Sequence, residues 1–177
     1  MSRTRALFFP IMVLLAACCL GTLKLWAGEY VSQKVVPVAY SFLFEKAQRA
    51  ADACQAERFF VSIRKPSQRM KIKSCKCGWV IQDLSRADYG WQLLKLRCPD
   101  EKNWSLLVGG HVSMYLPVLV SKNRILRGQA VSEEDVDWRF EDVSLLKGGY
   151  YTSLHDVARR NALKKIKAGQ VLEPRFF

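Results

Sequence analysis

The sequence predicts an α+β protein that is mostly β, with an N-terminal helix, an antiparallel β domain and a second, smaller β unit. Three observations support this prediction. Apolar residues recur at helical spacing over residues 39–56. Short alternating segments follow with no helix between them, which is typical of antiparallel sheets. A short motif then occurs twice in the last third of the chain, which indicates a repeated unit.

Length and composition narrow the class of protein. The chain has 177 residues, enough for one domain or two small ones, and half of them are hydrophobic. It carries 28 basic and 16 acidic residues, a net charge of +12, with six cysteines and two histidines. This balance disfavours a large multidomain enzyme and a histidine-rich metal site. It leaves a nucleic-acid binder, a membrane-associated or wall-associated protein, or an exported assembly factor.

The first 27 residues indicate export. Two arginines precede an uncharged, largely apolar stretch at residues 6–23, the pattern of a signal peptide that would be cleaved after Ala27. Two alternatives stay open: lipidation of Cys18 in a lipobox-like Leu15–Cys18 segment, or retention of residues 6–23 as a membrane helix. All three place the rest of the chain outside the cytoplasm.

Export changes how the charge and the cysteines are interpreted. Removal of residues 1–27 would leave 25 basic and 16 acidic residues, a net charge of +9. In an oxidising compartment, four cysteines in a small domain predict disulfides before a metal site. They are Cys54, Cys75, Cys77 and Cys98, and they allow three pairings. A bond from Cys75 to Cys98 would close a loop of about 23 residues and stabilise the fold by about 3 kcal/mol. The residues alone do not choose between the pairings.

The remaining elements follow in chain order. After the helix, residues 59–64 alternate with Phe59, Val61 and Ile63 on one face, as in a half-buried strand. Further strands are predicted at residues 79–81, 91–98, 104–108 and 112–120. Turn-like segments separate them, at residues 87–90, 99–100 and 109–110.

A change of pattern follows Pro117. Ser132 precedes three acidic residues, which predicts a helix start that Ser132 caps by accepting an N–H, and a single turn that ends near Trp138. Trp138 and Phe140 alternate with charged residues, as any half-buried strand would.

The internal repeat has the form Ile-x-x-Gly-Gln-x-aliphatic. It occurs at residues 125–131 and again at residues 166–172. Each copy contains a Gly-Gln pair, Gly128-Gln129 and Gly169-Gln170. Glycine suits a tight turn with positive φ before an aliphatic residue re-enters the core. The repeat therefore predicts two related turns packed about a common centre.

These residues resemble a known domain. Residues 116–136 look like the opening of a SAF domain, and residues 162–172 look like its close. That domain is a small β-clip unit found in sialic acid synthases, antifreeze-like proteins, pilus assembly proteins and flagellar P-ring assembly chaperones. The preceding signal sequence, helix, Phe-Val-Ser-Ile-Arg strand, Ser74-Cys75 and Leu96-Arg97-Cys98 make residues 35–177 similar to the flagellar basal-body P-ring formation protein family.

The resemblance implies an organisation and a function. It implies a targeting segment at 1–27, a helix and β domain at 28–115 and a SAF β-clip domain at 116–177. It pairs Cys75 with Cys98. It also implies a periplasmic chaperone that binds P-ring protein subunits, with no cofactor, metal or catalytic site. Members of this family usually continue into another β-rich segment, and this sequence stops at Phe177, so that segment is expected to be missing.

A chaperone of this kind needs exposed strand edges and apolar surface. The candidate client contacts are Tyr115, Val118, Trp138 and Phe140.

Other functions have weaker support. The two histidines lie far apart in sequence, and no hydrolase, phosphate-loop or zinc-protease motif occurs. The basic run at residues 159–167 lacks interleaved aromatic residues, so a solvated face, or attraction to anionic wall and lipid surfaces, explains it better than nucleic acid. The alternative is a SAF-domain pilus assembly factor anchored in the inner membrane by residues 6–23. An intact N-terminus would favour that alternative, and cleavage after Ala27 would favour the soluble chaperone.

Overall fold

The structure, a computed structural model, describes residues 27–67, 70, 72, 75–100 and 104–177, with the side chains of the first helix described from Val35 onward. The predicted targeting segment therefore lies outside the described residues, except for Ala27. The described part contains one α-helix, five strands and four short 3₁₀ turns. None of the helices described there is both long enough and apolar enough to cross a membrane.

Helix α1 spans Ala27–Cys54 and is longer than the sequence predicts. The predicted helix begins at residue 39, but α1 continues through Pro37 toward its N-terminus. Its buried stripe recurs at every fourth residue, which keeps one face on the sheet; the stripe consists of Val35, Ala39, Leu43, Ala47 and Ala51. The helix ends at Cys54; Gln55 follows with a φ of 55°, and the Ala56 N–H then donates to the Ala51 carbonyl.

The five strands form one antiparallel sheet. Strands β1 (Arg58–Ile63), β2 (Val80–Asp83), β3 (Gly90–Arg97) and β4 (Ser105–Ser121) lie in the order β1-β4-β3-β2, and β5 (Val136–Asp142) pairs with the end of β4. The α+β, mostly β class is therefore confirmed. The two strands predicted at 104–108 and 112–120 are in fact one strand of 17 residues.

The predicted turn at Gly109-Gly110 is wrong, because both glycines lie inside β4. Gly110 pairs with Ile63 of β1 and Gln92 of β3. A Cβ on Gly110 would lie 2.7 Å from Leu43 Cδ1 and 2.9 Å from the Ser62 carbonyl oxygen. The glycine therefore allows α1 to approach the sheet closely, a long-range requirement that imitates a turn signal in the sequence.

Strand β4 is a wall between buried clusters. On its α1 side, Val118 and Val120 pack in a cluster with Ala47 and Val143. On the other side, Leu119 packs in a third cluster made by the residues of the repeat and the C-terminal turn. The predicted domain boundary between residues 115 and 116 falls inside this continuous strand, and it stays a prediction.

The two copies of the repeat exchange hydrogen bonds as a pseudo-twofold pair. Ile125 and Ile166 bond to each other in both directions, at 3.1 and 2.9 Å. The N–H of Gly128 donates to Ala162, and the N–H of Gly169 donates to Ser121, the equivalent position in the other copy. Other backbone bonds also occur in equivalent pairs: the Ser121 N–H donates to Gln170, and the Ala162 N–H donates to Gln129. The turns are therefore packed about a common centre.

The turn glycines have the predicted conformation. Gly128 has a φ of 82° and Gly169 a φ of 74°. In each turn the glutamine side chain closes the loop: Gln129 Oε1 accepts the Leu126 N–H, and Gln170 Oε1 accepts the Lys167 N–H, both at 3.0 Å. The two Gly-Gln pairs thus shape the turns by the same contacts.

The turn after Ser132 is shorter than predicted. It spans Glu133–Asp135, and β5 begins at Val136, before Trp138. The Ser132 hydroxyl donates to Asp135 Oδ2 at 2.7 Å, and the Ser132 N–H donates to the same oxygen at 3.1 Å. The acid thus closes the turn by accepting from Ser132, in the capping-box arrangement of these two residues.

Candidate interaction surface

One face of the sheet is covered by α1, and the opposite face, here called the open face, carries exposed apolar side chains. Strand alternation assigns them, because the residues between them pack against α1. Trp91 is 71% exposed and Phe60 is 58% exposed. Val80, Leu93 and Leu107 are further exposed apolar residues of this face. A sheet face with several exposed apolar side chains is typical of a contact surface.

Three of the four candidate contact residues lie on the same side of the sheet as the open face. Tyr115 is half-buried and meets the Phe60 ring edge-on, with ring centroids 5.8 Å apart. Trp138 and Phe140 pair with Leu119 and Pro117, and their side chains are 49% and 50% exposed. Directly paired residues share a face, so both rings continue the row that Tyr115 begins.

Val118, the fourth candidate, lies on the other side of the strand. Its side chain is fully buried in the cluster that packs against α1. It holds β4 in place from beneath and does not belong to the exposed surface.

Basic side chains accompany the aromatic rings of the open face. The Arg58 guanidinium lies 4.7 Å from the centre of the Tyr115 ring, and the Arg64 guanidinium lies 5.8 Å from the centre of the Trp91 ring. Lys95 and Arg97 lie on the same face by strand alternation. The surface therefore combines aromatic area with positive charge, and cation–π contacts hold two of the arginines over rings.

Asp142, an acid beside Tyr115, is engaged by its neighbours. Partial burial acts to raise the pKa of its carboxyl, but hydrogen bonds from Ser144, Ser113 and the Met114 amide outweigh burial and lower it. These hydrogen bonds therefore hold the carboxylate in place at the C-terminal end of β5. Its charge is satisfied within the chain.

A shallow cleft lies where Arg64 and Trp91 meet. Its volume is about 220 Å³, and its lining also includes Ser62, Ile63, Gly110 and His111. The His111 ring meets the Trp91 ring edge-on at 5.4 Å, and His111 Nε2 lies 3.0 Å from Ser144 Oγ. The imidazole therefore links the open face to the end of β5.

Lys46 fixes α1 to the far strands. Its ammonium donates to Asp83 Oδ2 at 2.8 Å, to Gln92 Oε1 at 2.9 Å and to the Ala87 carbonyl at 3.1 Å. Burial acts to raise the pKa of Asp83, but bonds from Lys46 and Ser85 lower it overall. The side chain of Lys46 is only 12% exposed, so this cluster is packing and not an exposed ion pair.

The disulfide implied by the resemblance is present. Cys75 and Cys98 are bonded, with their Cα atoms 5.6 Å apart, and the bond ties the segment before β2 to the end of β3. Among the described cysteines, Cys54 and Cys77 are free and exposed. Asp100 lies near the disulfide, but the two bonded sulfurs are not thiolate ligands for a metal ion.

Asp100 shapes the loop beside the disulfide. Its carboxylate accepts the N–H groups of Lys76 and Cys77 at 2.7 and 3.0 Å. The hydrogen bond with Asp100 is also the main reason that the pKa of the Cys77 thiol is raised. A raised pKa leaves less thiolate, so this exposed thiol is held in its less reactive form.

The basic run predicted as a solvated face is exposed. Its residues are Arg159, Arg160, Lys164, Lys165 and Lys167. Lys164 lies over the Phe176 ring at 4.6 Å, and Arg160 reaches the Tyr151 hydroxyl at 3.5 Å. The partners of these two basic residues, the Phe176 ring and the Tyr151 hydroxyl, both belong to the same C-terminal part of the chain.

Sequence reasoning missed Phe60 and Trp91 as surface residues. A signal for Phe60 was available, because Phe59, Val61 and Ile63 occupy the predicted buried face and Phe60 alternates with them. The alternation of β3 gave the same signal for Trp91. Strand alternation separates the two faces of a sheet, but it does not show which face a helix covers.

Comparisons with known proteins agree with this geometry. Residues 116–176 match the family described as "Chaperone for flagella basal body P-ring formation". Salmonella FlgA in its closed form is similar with a TM-score of 0.56 and 14% identity, over 81% of this chain and 67% of that chain. Its open form has the same TM-score and identity, over 80% of this chain and 62% of that chain.

The scope of these matches is defined by their length and identity. This chain spans no more than about 67% of the crystallised FlgA chains, and at 14% identity the likeness shows a shared fold. No curated protein matches the chain. The family match covers residues 116–176, and the fold is the one that the FlgA structures share, so over this part the chain is similar to the family of chaperones for flagella basal body P-ring formation.

Proposed function

We propose that this chain is a periplasmic chaperone that binds subunits of the flagellar P-ring protein and assists their assembly. The similarity of residues 116–176 to chaperones for flagella basal body P-ring formation supports the chaperone role. The Cys75–Cys98 disulfide supports an oxidising compartment, since such bonds are rare in the cytosol.

The observation that carries the proposal is the row of exposed rings beside β4. Trp138 and Phe140 are half exposed next to Tyr115, on a sheet face that also carries Phe60 and Trp91. Large aromatic side chains provide most of the contact energy in protein interfaces. A client subunit therefore has an apolar surface to bind before its own neighbours are in place.

A binding measurement tests this proposal. Immobilised P-ring protein should retain the chain lacking residues 1–27, and the double variant Trp138→Ala/Phe140→Ala should bind at least about tenfold more weakly. Leu126→Ala is the matched control, since Leu126 is exposed to a similar degree but lies in a repeat turn. Absence of binding by the unmodified chain would reject the function, and equal binding by all three would reject the surface.

A further inference from the structure

The hydrogen bonds of β4 show which way its backbone groups point. Leu119 donates its N–H to Tyr151 and accepts the N–H of Leu172, each at 2.9 Å. Both groups of Leu119 are therefore used on the side of β4 away from β5. In an antiparallel ladder such a residue faces a non-hydrogen-bonded partner, so the N–H and carbonyl of Trp138, opposite Leu119, also point away from β4.

Phe140 lies in the same class of position. It pairs with Pro117, two residues before Leu119, and ladder positions repeat every two residues. Proline has no N–H to offer, which suits a site where no bond crosses to β5. The backbone groups of Phe140 therefore also point outward, along the free edge of β5.

This edge has no strand partner in the part of the chain that the structure describes. β5 pairs with β4 alone. The Trp138 N–H is accepted by the carboxylate of the preceding residue, Asp137, at 2.8 Å. The N–H and carbonyl of Phe140 have no partner among the described residues.

The side chain of Arg139, between Trp138 and Phe140, anchors β5. Arg139 donates to the Gly169 carbonyl at 3.0 Å and forms an ion pair with Glu141. These contacts tie the polar side of β5 to the second repeat turn, and they do not involve the outward backbone groups of Trp138 and Phe140. The same two residues carry the half-exposed rings.

We propose that the free edge of β5 binds an extended segment of a protein partner as an added strand. Its backbone would bond to Trp138 and Phe140, and apolar side chains at alternate positions would lie against the two rings. The positions between them would be uncharged or basic, since Asp137 and Glu141 flank Arg139. The inference rests on the proposed function, which makes the partner a P-ring protein subunit.

Asp137 has a defined part in this binding. Its carboxylate occupies the Trp138 N–H where the carbonyl of an added strand would bond. It therefore protects the edge in the free chain, as charged residues do on many sheet edges. The incoming segment must displace it.

The test compares two substitutions at one position. Phe140→Val removes the ring, whereas Phe140→Pro also removes the outward N–H and breaks no bond between β4 and β5. Affinity for P-ring protein subunits should be about tenfold weaker for Phe140→Pro than for Phe140→Val. Melting temperatures of the two variants verify that both are folded.

A second pair of variants keeps the test informative if the proline variant does not fold. Asp137→Ala frees the Trp138 N–H and should bind several-fold more tightly, whereas Asp137→Asn retains an acceptor oxygen and should bind like the unmodified chain. Equal affinity within both pairs would overturn the added-strand mode while leaving chaperone binding intact.

Two other outcomes also count against the proposal. If sedimentation shows a dimer of the free chain that Phe140→Pro dissociates and Phe140→Val does not, a second copy occupies the edge. If the unmodified chain does not bind the subunits at all, the proposed function fails and the inference fails with it.

Discussion

Gly110 shows how one missing side chain positions a whole helix. The glycine lies in the middle of β4, where Leu43 of α1 and the Ser62 carbonyl leave no space for a Cβ. Its neighbour Gly109 is much less restricted, since the atom nearest to a Cβ there would be the Gln92 carbonyl oxygen, at 4.0 Å. The two glycines look alike in the sequence, but only Gly110 lies where a side chain would collide with α1 and β1.

This difference gives a prediction at the residue scale. Gly110→Ala should lower the free energy of unfolding by about 2 kcal/mol, because the helix must shift to admit the methyl group. Gly109→Ala, the matched control, should change it by much less. Urea denaturation of both variants measures the difference, and equal stabilities would show that α1 does not depend on this contact.

At the scale of elements, the disulfide and the pairing of strands stabilise the fold. The Cys75–Cys98 bond joins positions 23 residues apart and fixes the loop before β2 to the end of β3. The short strand β2 lies at the sheet edge and pairs only with β3 in the described part of the chain. The bond therefore adds a covalent link near an edge strand that is otherwise held by β3 and by the contact between Lys46 and Asp83.

Removal of that bond should be costly. Cys75→Ser should lower the free energy of unfolding by about 3 kcal/mol, since the unfolded chain regains the freedom of the open loop. Cys77→Ser removes a free, exposed thiol and should have little effect. Denaturation curves measure both changes. Peptide mapping that joins Cys75 to Cys54 or Cys77 would contradict the assignment.

The same elements show what local sequence can predict. Alternation located β1 and β3 to within about a residue or two, because one face of each is buried on α1. The start of α1 was missed because Pro37 interrupts the pattern, and the tertiary stripe that continues from Val35 is not visible locally. The continuity of β4 was missed because a glycine pair signals a turn unless the approaching helix is known. Of the candidate contacts, Trp138 and Phe140 lie at the surface, while Val118 is buried, since strand parity was not applied to it.

At the scale of the whole molecule, the pseudo-twofold repeat organises the C-terminal part of the chain. Each copy donates from its turn glycine to the other copy, and the two glutamines close their turns by identical bonds. The symmetry was predictable in part, because the Gly-Gln motif repeats in the sequence. The reciprocal bonds were not predictable, since they join residues about 40 positions apart through backbone groups that carry no sequence signal.

The symmetry predicts equal sensitivity of the two turns. Gly128→Ala and Gly169→Ala should each lower the free energy of unfolding by about 1 kcal/mol, because both positions need positive φ. Asparagine tolerates that conformation, so Gly128→Asn and Gly169→Asn should each cost less. Thermal and urea unfolding measure the four variants. Markedly unequal costs of the two alanine variants would show that the turns are not equivalent.

The single long strand β4 also has a consequence for how the protein melts. It supplies Val108 to the first buried cluster, Val118 to the second and Leu119 to the third, so each cluster loses a wall when this strand detaches. One half of the described structure therefore cannot unfold without exposing buried residues of the other half. The repeat-containing part of the chain and the helix-covered sheet are therefore expected to lose their structure in one cooperative transition.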